Sequence, residues 1–492
     1  MAEWLDHEGD HSRTSSRRRL QVAVKEDPKQ AREFDAAFEC LAKLVDLRSA
    51  DSQFPTRGNT VFTTAVVLWM LVSQRMSADR TLEATVKRLL SSRPEILPEN
   101  QRVTRQTLSA NTSGYSAARQ RLELRAVEWF CNHVAQSIVD TTKPSLEGRR
   151  AFVLDGTTLT LAPEPVLRKL YPPAKNQYGR GAWPIALMTV CHELRTGAAM
   201  IPALGRKFGP EAVSETSLVP DCLRQLPSDS IVMADAGFGI FQVAWQIDRA
   251  GHQFVLRLTP QRFEALKRQA TPIEDRGGSP VWQLDWTPSR GDCLTHPELP
   301  DDARLSVRLH EIRINDELTL RIVTSLPTPS TDIADLYAQR THVEIDIRNT
   351  KIVLGAERIL ARSQAMFQKE LLAAVIAYNL TTQFRRQAAE VAELPPRRLS
   401  YKRVWTTFNV FLLSSTHTNA AKWREAYSRA LMIAATEILP DRPGRRFRRE
   451  AYPRRPKSNQ FQKRVPKEDT LHELVNDADD PPPDPERNQS KK

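Results

Sequence analysis

The chain has 492 residues, 40% of them hydrophobic, which is enough for several buried cores and about three domains. Its formal charge of +12 favours a polyanionic partner such as a nucleic acid. The five cysteines are scattered without a C-x-x-C pair, which argues against a zinc site or a disulfide framework and for a reducing compartment. No signal peptide is apparent and no apolar run is long enough to span a bilayer, so we expect no membrane partner.

Helical periodicity dominates the first third of the chain. Residues 1–30 are rich in arginine and lack an apolar pattern, which predicts a disordered basic N-terminus. A helical domain is predicted over residues 31–145. Apolar positions recur there at helical spacing in four segments, residues 34–47, 63–76, 82–90 and 115–139.

Two short apolar runs each end in an aspartate. The first run ends at Asp155, which precedes a glycine, and the second ends at Asp235. Continuous apolar runs of this length are typical of strands buried on both faces. Because ligands of open α/β sheets bind at the carboxyl ends of central strands, we expect the two carboxylates to lie side by side. Each run alone is also compatible with an ordinary strand-to-turn transition.

A long segment follows the second aspartate. Glu344 comes 109 positions after Asp235, too far for one short crossover, and strand-like patterns predict a mostly β insertion over residues 259–318. Within it, Trp282 and Trp286 lie four residues apart and therefore share one face of a strand. The two rings either stack on an unpaired base or pack the insertion's own core.

The most informative pattern is Y-x2-R-x3-E-x6-K, formed by Tyr337, Arg340, Glu344 and Lys351. On one regular helix these side chains project within a sector about 60° wide, beside an apolar stripe. A carboxylate next to two cations at the edge of a core is costly to desolvate unless a metal ion or a phosphate uses it. The alternative is an amphipathic helix with a salt-bridged margin. Together with the two strand-end aspartates, the glutamate supplies three acidic ligands for a two-metal phosphoryl-transfer site.

The C-terminal end changes from basic to acidic. Residues 442–467 hold eleven Lys and Arg against one acid, Glu450, which gives this segment a charge of +10. The composition indicates either an extended strap on DNA or a solvated tail. We predict a C-terminal helical region over residues 396–441 and a basic, then acidic, disordered tail over residues 442–492.

These motifs are similar to those of a known enzyme family. The Y-x2-R-x3-E-x6-K spacing resembles the YREK signature of DDE transposases of the insertion-sequence-four type. The segments around Asp155 and Asp235 resemble the first and second aspartate regions of that family, and the resemblance covers roughly residues 60–390. One departure is Thr341, which stands where family members often carry tryptophan.

The resemblance implies an α/β fold with a ribonuclease H-like catalytic core over residues 146–258 and 319–395. The core is interrupted by the β-rich insertion and preceded by the helical domain, which binds DNA. The implied activity is cut-and-paste transposition, in which water nicks the element ends and the freed 3′-hydroxyl attacks target DNA. The expected partners are double-stranded DNA, at the element ends and in the target, and a second copy in a dimeric synaptic complex. The expected location is the bacterial cytoplasm, at the nucleoid.

The resemblance also assigns roles to the candidate residues. Two Mg²⁺ or Mn²⁺ ions, which hard oxygen ligands suit, would be held by three carboxylates, those of Asp155, Asp235 and Glu344. DNA phosphates would be contacted by three further side chains, those of Tyr337, Arg340 and Lys351.

Two other functions fit the same sequence. One is a ribonuclease H-like DNA nuclease or junction resolvase that hydrolyses DNA without strand transfer. The other is a domesticated DNA-binding regulator derived from a transposase. The presence of all three carboxylates argues against loss of catalysis.

Overall fold

The computed structural model describes residues 34–35, 46–77, 79–92, 96–176, 179–273, 278–316, 318–353, 359, 361–413, 416–417 and 420–440. The predicted tails at residues 1–30 and 442–492 lie outside the described residues.

Helices form most of the structure described before residue 141. They are α1 (Arg48–Gln53), α2 (Thr64–Met76), α3 (Leu82–Ser92), α4 (Gln101–Thr104), α5 (Ser113–Arg121) and α6 (Leu124–Asp140).

Two sequence predictions in this region are wrong. The pattern predicted one helix over residues 115–139, but Leu122 has ψ 125° and separates α5 from α6. The pattern also predicted a helix starting near Phe34. Instead, β1 (Phe34–Asp35) pairs with β13 (Thr416–His417), a partner far along the chain that local periodicity cannot reveal.

The described strands build a nine-stranded mixed sheet with the order β6-β5-β2-β7-β8-β12-β11-β10-β9. These strands are β2 (Ala151–Thr160), β5 (Ile185–Glu193), β6 (Ala203–Arg206), β7 (Ile231–Ala234), β8 (Gln253–Arg257), β9 (Thr271–Ile273), β10 (Val281–Trp286), β11 (Leu305–Arg313) and β12 (Thr319–Thr324). A small hairpin, β3 (Lys175–Asn176) and β4 (Gly179–Arg180), stands apart from the sheet.

Strand β2 sits at a change of direction within the sheet. Its neighbour β5 is antiparallel to it, whereas β7 on the other side is parallel and is followed by the parallel β8. Val153 packs into one hydrophobic core, while Phe152 and Leu154 pack into the other. The strand is therefore buried on both faces, as its continuous apolar run predicts.

The predicted insertion extends this sheet. Strand β12 pairs antiparallel with β8, and β11, β10 and β9 follow outward in order. Residues 259–318 also contain two helices, so the segment is a mixture of strands and helices.

The remaining helices cover the sheet and the helical region. They are α7 (Pro165–Leu170), α8 (Val219–Leu223), α9 (Phe241–Arg249), α10 (Pro260–Lys267), α11 (Arg290–Thr295), α12 (Ser330–Ala338), α13 (His342–Arg348), α14 (Gln364–Val391), α15 (Tyr401–Leu413) and α16 (Ala420–Ala435). Helix α14 packs against α2 and α6 on one side and against α15 and α16 on another. The N-terminal helices therefore share one hydrophobic core with the C-terminal helices. None of the described helices combines the length and the hydropathy needed to cross a bilayer.

Candidate active site

Parallel pairing of β2 and β7 brings two aspartates to one edge of the sheet. Val153 lies opposite Met233 in the strand register. Asp155 and Asp235 each come two residues later, so they occupy the same level at the carboxyl ends of the paired segments. The common level agrees with the expectation from the two apolar runs, but the prediction that Asp155 ends its strand is wrong, because β2 continues to Thr160.

The two carboxylates affect each other electrostatically. The pKa of the Asp155 carboxyl is raised to about 6, mainly by burial and also by the negative charges of Asp235 and Glu215. The Gly156 N–H, which donates to Asp155 Oδ1 at 2.8 Å, and the positive charge of Arg340 act in the opposite direction. A divalent cation would relieve the repulsion that the ionised pair experiences.

The YREK motif does not lie on one regular helix. Helix α12 ends at Ala338, a 3-10 turn covers Gln339–Thr341, and α13 follows. A π-helical turn then covers Asn349–Val353. Because the winding departs from the α-helix at two places, the common 60° sector predicted from 3.6 residues per turn is wrong.

Tyr337 and Arg340 lie close to the two aspartates. Tyr337 is 5% exposed, and its hydroxyl donates to the carbonyl of Ala234, the residue before Asp235, at 3.3 Å. Burial raises the Tyr337 pKa to about 12. The Arg340 guanidinium lies 6.0 Å from the Tyr337 ring and lowers the pKa of both Tyr337 and Asp155. Arg340 is therefore a largely buried cation next to the acidic pair.

Glu344 lies on α13, but its side chain points towards solvent. Helix α13 packs on β2, yet the Glu344 side chain is 59% exposed, and its Oε1 is 3.9 Å from Arg340 Nη2. Within the described part of the chain, no group of three His, Cys, Asp or Glu residues is arranged to hold a metal ion. The structure thus brings two of the three candidate ligands together and leaves Glu344 paired with Arg340.

Lys351 connects the π-helical turn to the first aspartate's strand. Its Nζ donates to Thr157 Oγ1 at 3.2 Å and to the Thr158 carbonyl at 3.0 Å. The ammonium group therefore lies two to three residues beyond Asp155 along β2. This position suits a contact to a phosphate near the aspartates, and it also ties the turn to the sheet.

A residue that the sequence reasoning missed lies beside Asp155. The Glu215 side chain packs so closely on Gly156 that any Cβ at this glycine would collide with it. The Asp-Gly pair was visible in the sequence, but Glu215 carries no motif of its own, and only the fold brings it to β2.

The two tryptophans of the insertion are packed against helices. Trp286 is 6% exposed and meets Phe241 edge to face, with ring centroids 5.4 Å apart. Trp282 contacts Phe263 at 5.9 Å, and Lys267 Nζ lies 4.3 Å from its ring centroid. These contacts agree with the packing alternative, because stacking on a base would require the rings to leave their present neighbours.

A basic cleft opens among the N-terminal helices. Its volume is 740 Å³, and it has an apolar floor that includes Phe62 and Leu89. Three exposed arginines line it, Arg57, Arg102 and Arg121, and no acidic residue is present among the described lining residues. These arginines lie far apart in sequence, so no local sequence pattern predicts the cleft.

Comparisons with known proteins point to one enzyme class. Residues 146–380 match the protein family described as "Transposase DDE domain", a range that contains both aspartates and the whole YREK motif. The chain is also 22% identical over 415 residues to the transposase InsG for insertion sequence element IS4 of Escherichia coli K12. That alignment covers 80% of this chain and 88% of the relative.

One solved structure is similar at a low level. It is a cryo-EM structure of a piggyBac transposase synaptic complex with hairpin DNA, with a TM-score of 0.35 and 11% identity over 84% of this chain and 87% of that one. A score of this size does not show a shared fold. Residues 146–380 are therefore similar to a transposase DDE domain.

Proposed function

We propose that this chain is the transposase of an insertion sequence, which cuts DNA at the element ends and joins the freed 3′-hydroxyls to target DNA. One observation carries the proposal. Parallel pairing of β2 and β7 sets Asp155 and Asp235 at the same level, within the region that matches the DDE domain. The catalytic core would be ribonuclease H-like, with antiparallel strands on one side of β2 and parallel strands on the other.

The donor set fits hard divalent cations. Asp155, Asp235 and Glu344 would hold two Mg²⁺ or Mn²⁺ ions, which when bound activate an oxygen nucleophile and stabilise the leaving oxygen. The raised pKa of Asp155 is typical of a carboxylate whose ionised form lacks a compensating positive charge. Glu344 is exposed, and its contact to Arg340 is long, at 3.9 Å, so its side chain can reorient towards the aspartates.

The cations of the motif would hold the DNA backbone. Arg340 would offer its guanidinium fork to a phosphate next to the cut, and Lys351 would place an ammonium group further along β2. Tyr337 would add a hydrogen bond to a phosphate oxygen in place of its bond to Ala234. Such contacts position the DNA and do not read its sequence.

The helical region would bind the element ends. Its cleft offers Arg57, Arg102 and Arg121 to a polyanion, and amide and hydroxyl side chains lie between them. Because an element has two ends that must be joined together, two copies of the chain would assemble on them as a dimer. The C-terminal helices would support the catalytic core through the shared hydrophobic core.

The proposal is tested with the full-length chain and duplexes that carry the inverted repeats flanking its reading frame. With Mg²⁺, the protein should cut these ends and join them to a target plasmid. Asp155→Asn, Asp235→Asn and Glu344→Gln should each bind the ends but not cut them. A matched control is Glu390→Gln. Glu390 pairs with Arg386 four residues earlier, and its side chain is 61% exposed. Glu344 pairs with Arg340 at the same spacing and is 59% exposed.

Two results would favour the other functions. Cutting without joining would indicate a nuclease or resolvase. Binding without any cutting would indicate a regulator.

A further inference from the structure

A buried ion pair lies on the side of α13 that faces the protein interior. Asp346 follows Glu344 by two residues on α13 and is completely buried, with its Oδ2 2.9 Å from Arg397 Nη2. Side chains two residues apart on an α-helix project about 200° apart. Glu344 therefore faces solvent while Asp346 points into the protein.

Arg397 is fixed on its far side. It lies in the 3-10 turn Pro396–Arg398, after α14, and its Nε donates to the Leu194 carbonyl at 2.6 Å. Leu194 directly follows β5, the neighbour of the Asp155 strand. The ion pair thus connects the motif helix to the central sheet.

The turn after β5 closes around the same carboxylate. A Cβ at Gly197 would lie 2.9 Å from Asp346 Oδ1, and the Tyr378 hydroxyl of α14 donates to the Gly197 carbonyl at 2.8 Å. Arg385, also buried on α14, donates to the Thr196 carbonyl. Asp346 is therefore held between a tight turn and two arginines, with little room to move.

The helix needs such an anchor because its own backbone is irregular. Helix α13 has seven residues between a 3-10 turn and a π-helical turn. The hydrogen-bond pattern changes at both ends of α13, so α-helical geometry alone does not relate the faces of the three consecutive segments. A buried ion pair fixes the rotation of α13, because rotation would leave a charge without its partner.

We propose that Asp346 is a positioning residue, and that its pair with Arg397 fixes the rotation of α13. This rotation holds Glu344 beside Arg340, from where its side chain can reorient towards the aspartates, and it keeps Lys351 of the following turn in contact with the Asp155 strand. Asp346 itself touches neither metal nor DNA. The inference rests on the proposed function, since it gives the reason why the helix must be held.

The decisive variant replaces both partners, Asp346→Leu with Arg397→Met. Removing the two charges together leaves neither partner of this pair as a lone charge, and Arg385 keeps its hydrogen bond to the Thr196 carbonyl, so we expect the fold to be retained. Affinity for end DNA should stay within about twofold. The cleavage rate at saturating DNA should fall roughly 10- to 100-fold, because small misplacements of reacting groups are costly. Mn²⁺ affinity of the DNA-free protein, measured by calorimetry, should fall as well.

The matched control is Glu370→Gln. Glu370, on α14, binds the buried side chains of Arg75 and Arg119 from the N-terminal helices. Its loss should lower stability but leave the cleavage rate per folded molecule and the Mn²⁺ affinity unchanged. Asp346→Asn, which keeps the shape and removes the charge, should resemble the double variant in both readouts.

Wild-type cleavage and Mn²⁺ affinity in the double variant would overturn the positioning role. Equal losses in Glu370→Gln would overturn it too, because they would report stability alone. If the wild-type chain binds Mn²⁺ but cuts no DNA, the proposed function fails, and the Mn²⁺ comparison still tests the role of Asp346.

Discussion

Burial of the ionised Asp155 carboxylate lowers the stability of the folded protein. Its pKa is about 6 in the folded protein against a usual value of 3.8. The folded state therefore binds an extra proton between about pH 4 and pH 6, so the free energy of unfolding falls as the pH rises through this window. The cost is complete above about pH 6 and absent below about pH 4.

This sign gives a prediction for Asp155→Asn. In metal-free urea unfolding, the variant should gain about 1–2 kcal/mol over the wild type at pH 7.5, less than the full shift implies because the carboxyl is partly exposed. At pH 4 the gain should vanish. Asp335→Asn, at an exposed position on α12, controls for the loss of one negative charge. A gain that is the same at both pH values would contradict the burial argument.

Lys351 supports a second prediction. As a phosphate contact, Lys351→Met should weaken binding to cleaved ends and lower the slope of log affinity against log salt by about one unit. The control is Lys402→Met, at an exposed lysine on α15. An unchanged slope, with lower stability, would leave Lys351 only its hydrogen bonds to β2.

At the scale of single residues, sequence reasoning succeeds where chemistry and position coincide. Asp155 and Asp235 each end an apolar run, and parallel pairing then aligns them without further information. Glu215 escapes this reasoning, because its approach to Gly156 depends on a loop and not on a repeated pattern.

Among the elements, the motif helix shows what periodicity cannot provide. The sequence predicts that Tyr337 through Lys351 is helical, and the structure agrees. Periodicity alone implies regular α-helical winding, but a 3-10 turn and a π-helical turn divide the segment. The ion pair that anchors this irregular segment is equally invisible to periodicity, because Arg397, the partner of Asp346, lies 51 residues away.

The turn that encloses Asp346 gives a third prediction. Gly197 and Gly251 both have positive φ, +85° and +77°, so alanine at either should cost about 1 kcal/mol in backbone strain. Nothing lies within 4 Å of a Cβ at Gly251, whereas one at Gly197 would press on Asp346. Gly197→Ala should therefore cost about 1–3 kcal/mol more than Gly251→Ala in urea unfolding. Equal losses of unfolding free energy in the two variants would mean that the turn at Gly197 shifts to accommodate the added methyl group.

At the scale of the whole molecule, the long-range pairings decide the architecture. The sequence predicts a β-rich insertion, but only the pairing of β12 with β8 makes its strands part of the central sheet. Likewise the N-terminal helices are predictable one by one, whereas their packing on α14 is not. Such contacts join distant segments, and their geometry leaves no local periodic trace.

The shared hydrophobic core contains residues of the helices that line the basic cleft and of the sheet that carries the candidate active site. The cleft and the carboxylates nevertheless use different residues, so DNA binding and chemistry can be tested separately. Replacing the three arginines of the cleft with glutamine, Arg57, Arg102 and Arg121, should weaken duplex binding and lower the salt slope by up to about three units. Cleavage of ends bound at saturating protein should persist, because the carboxylates lie on the sheet. A variant with the same net charge controls for long-range attraction, and it replaces three exposed arginines of the insertion, Arg290, Arg304 and Arg313. If both triple variants lose the same affinity, overall charge and not the cleft attracts the DNA.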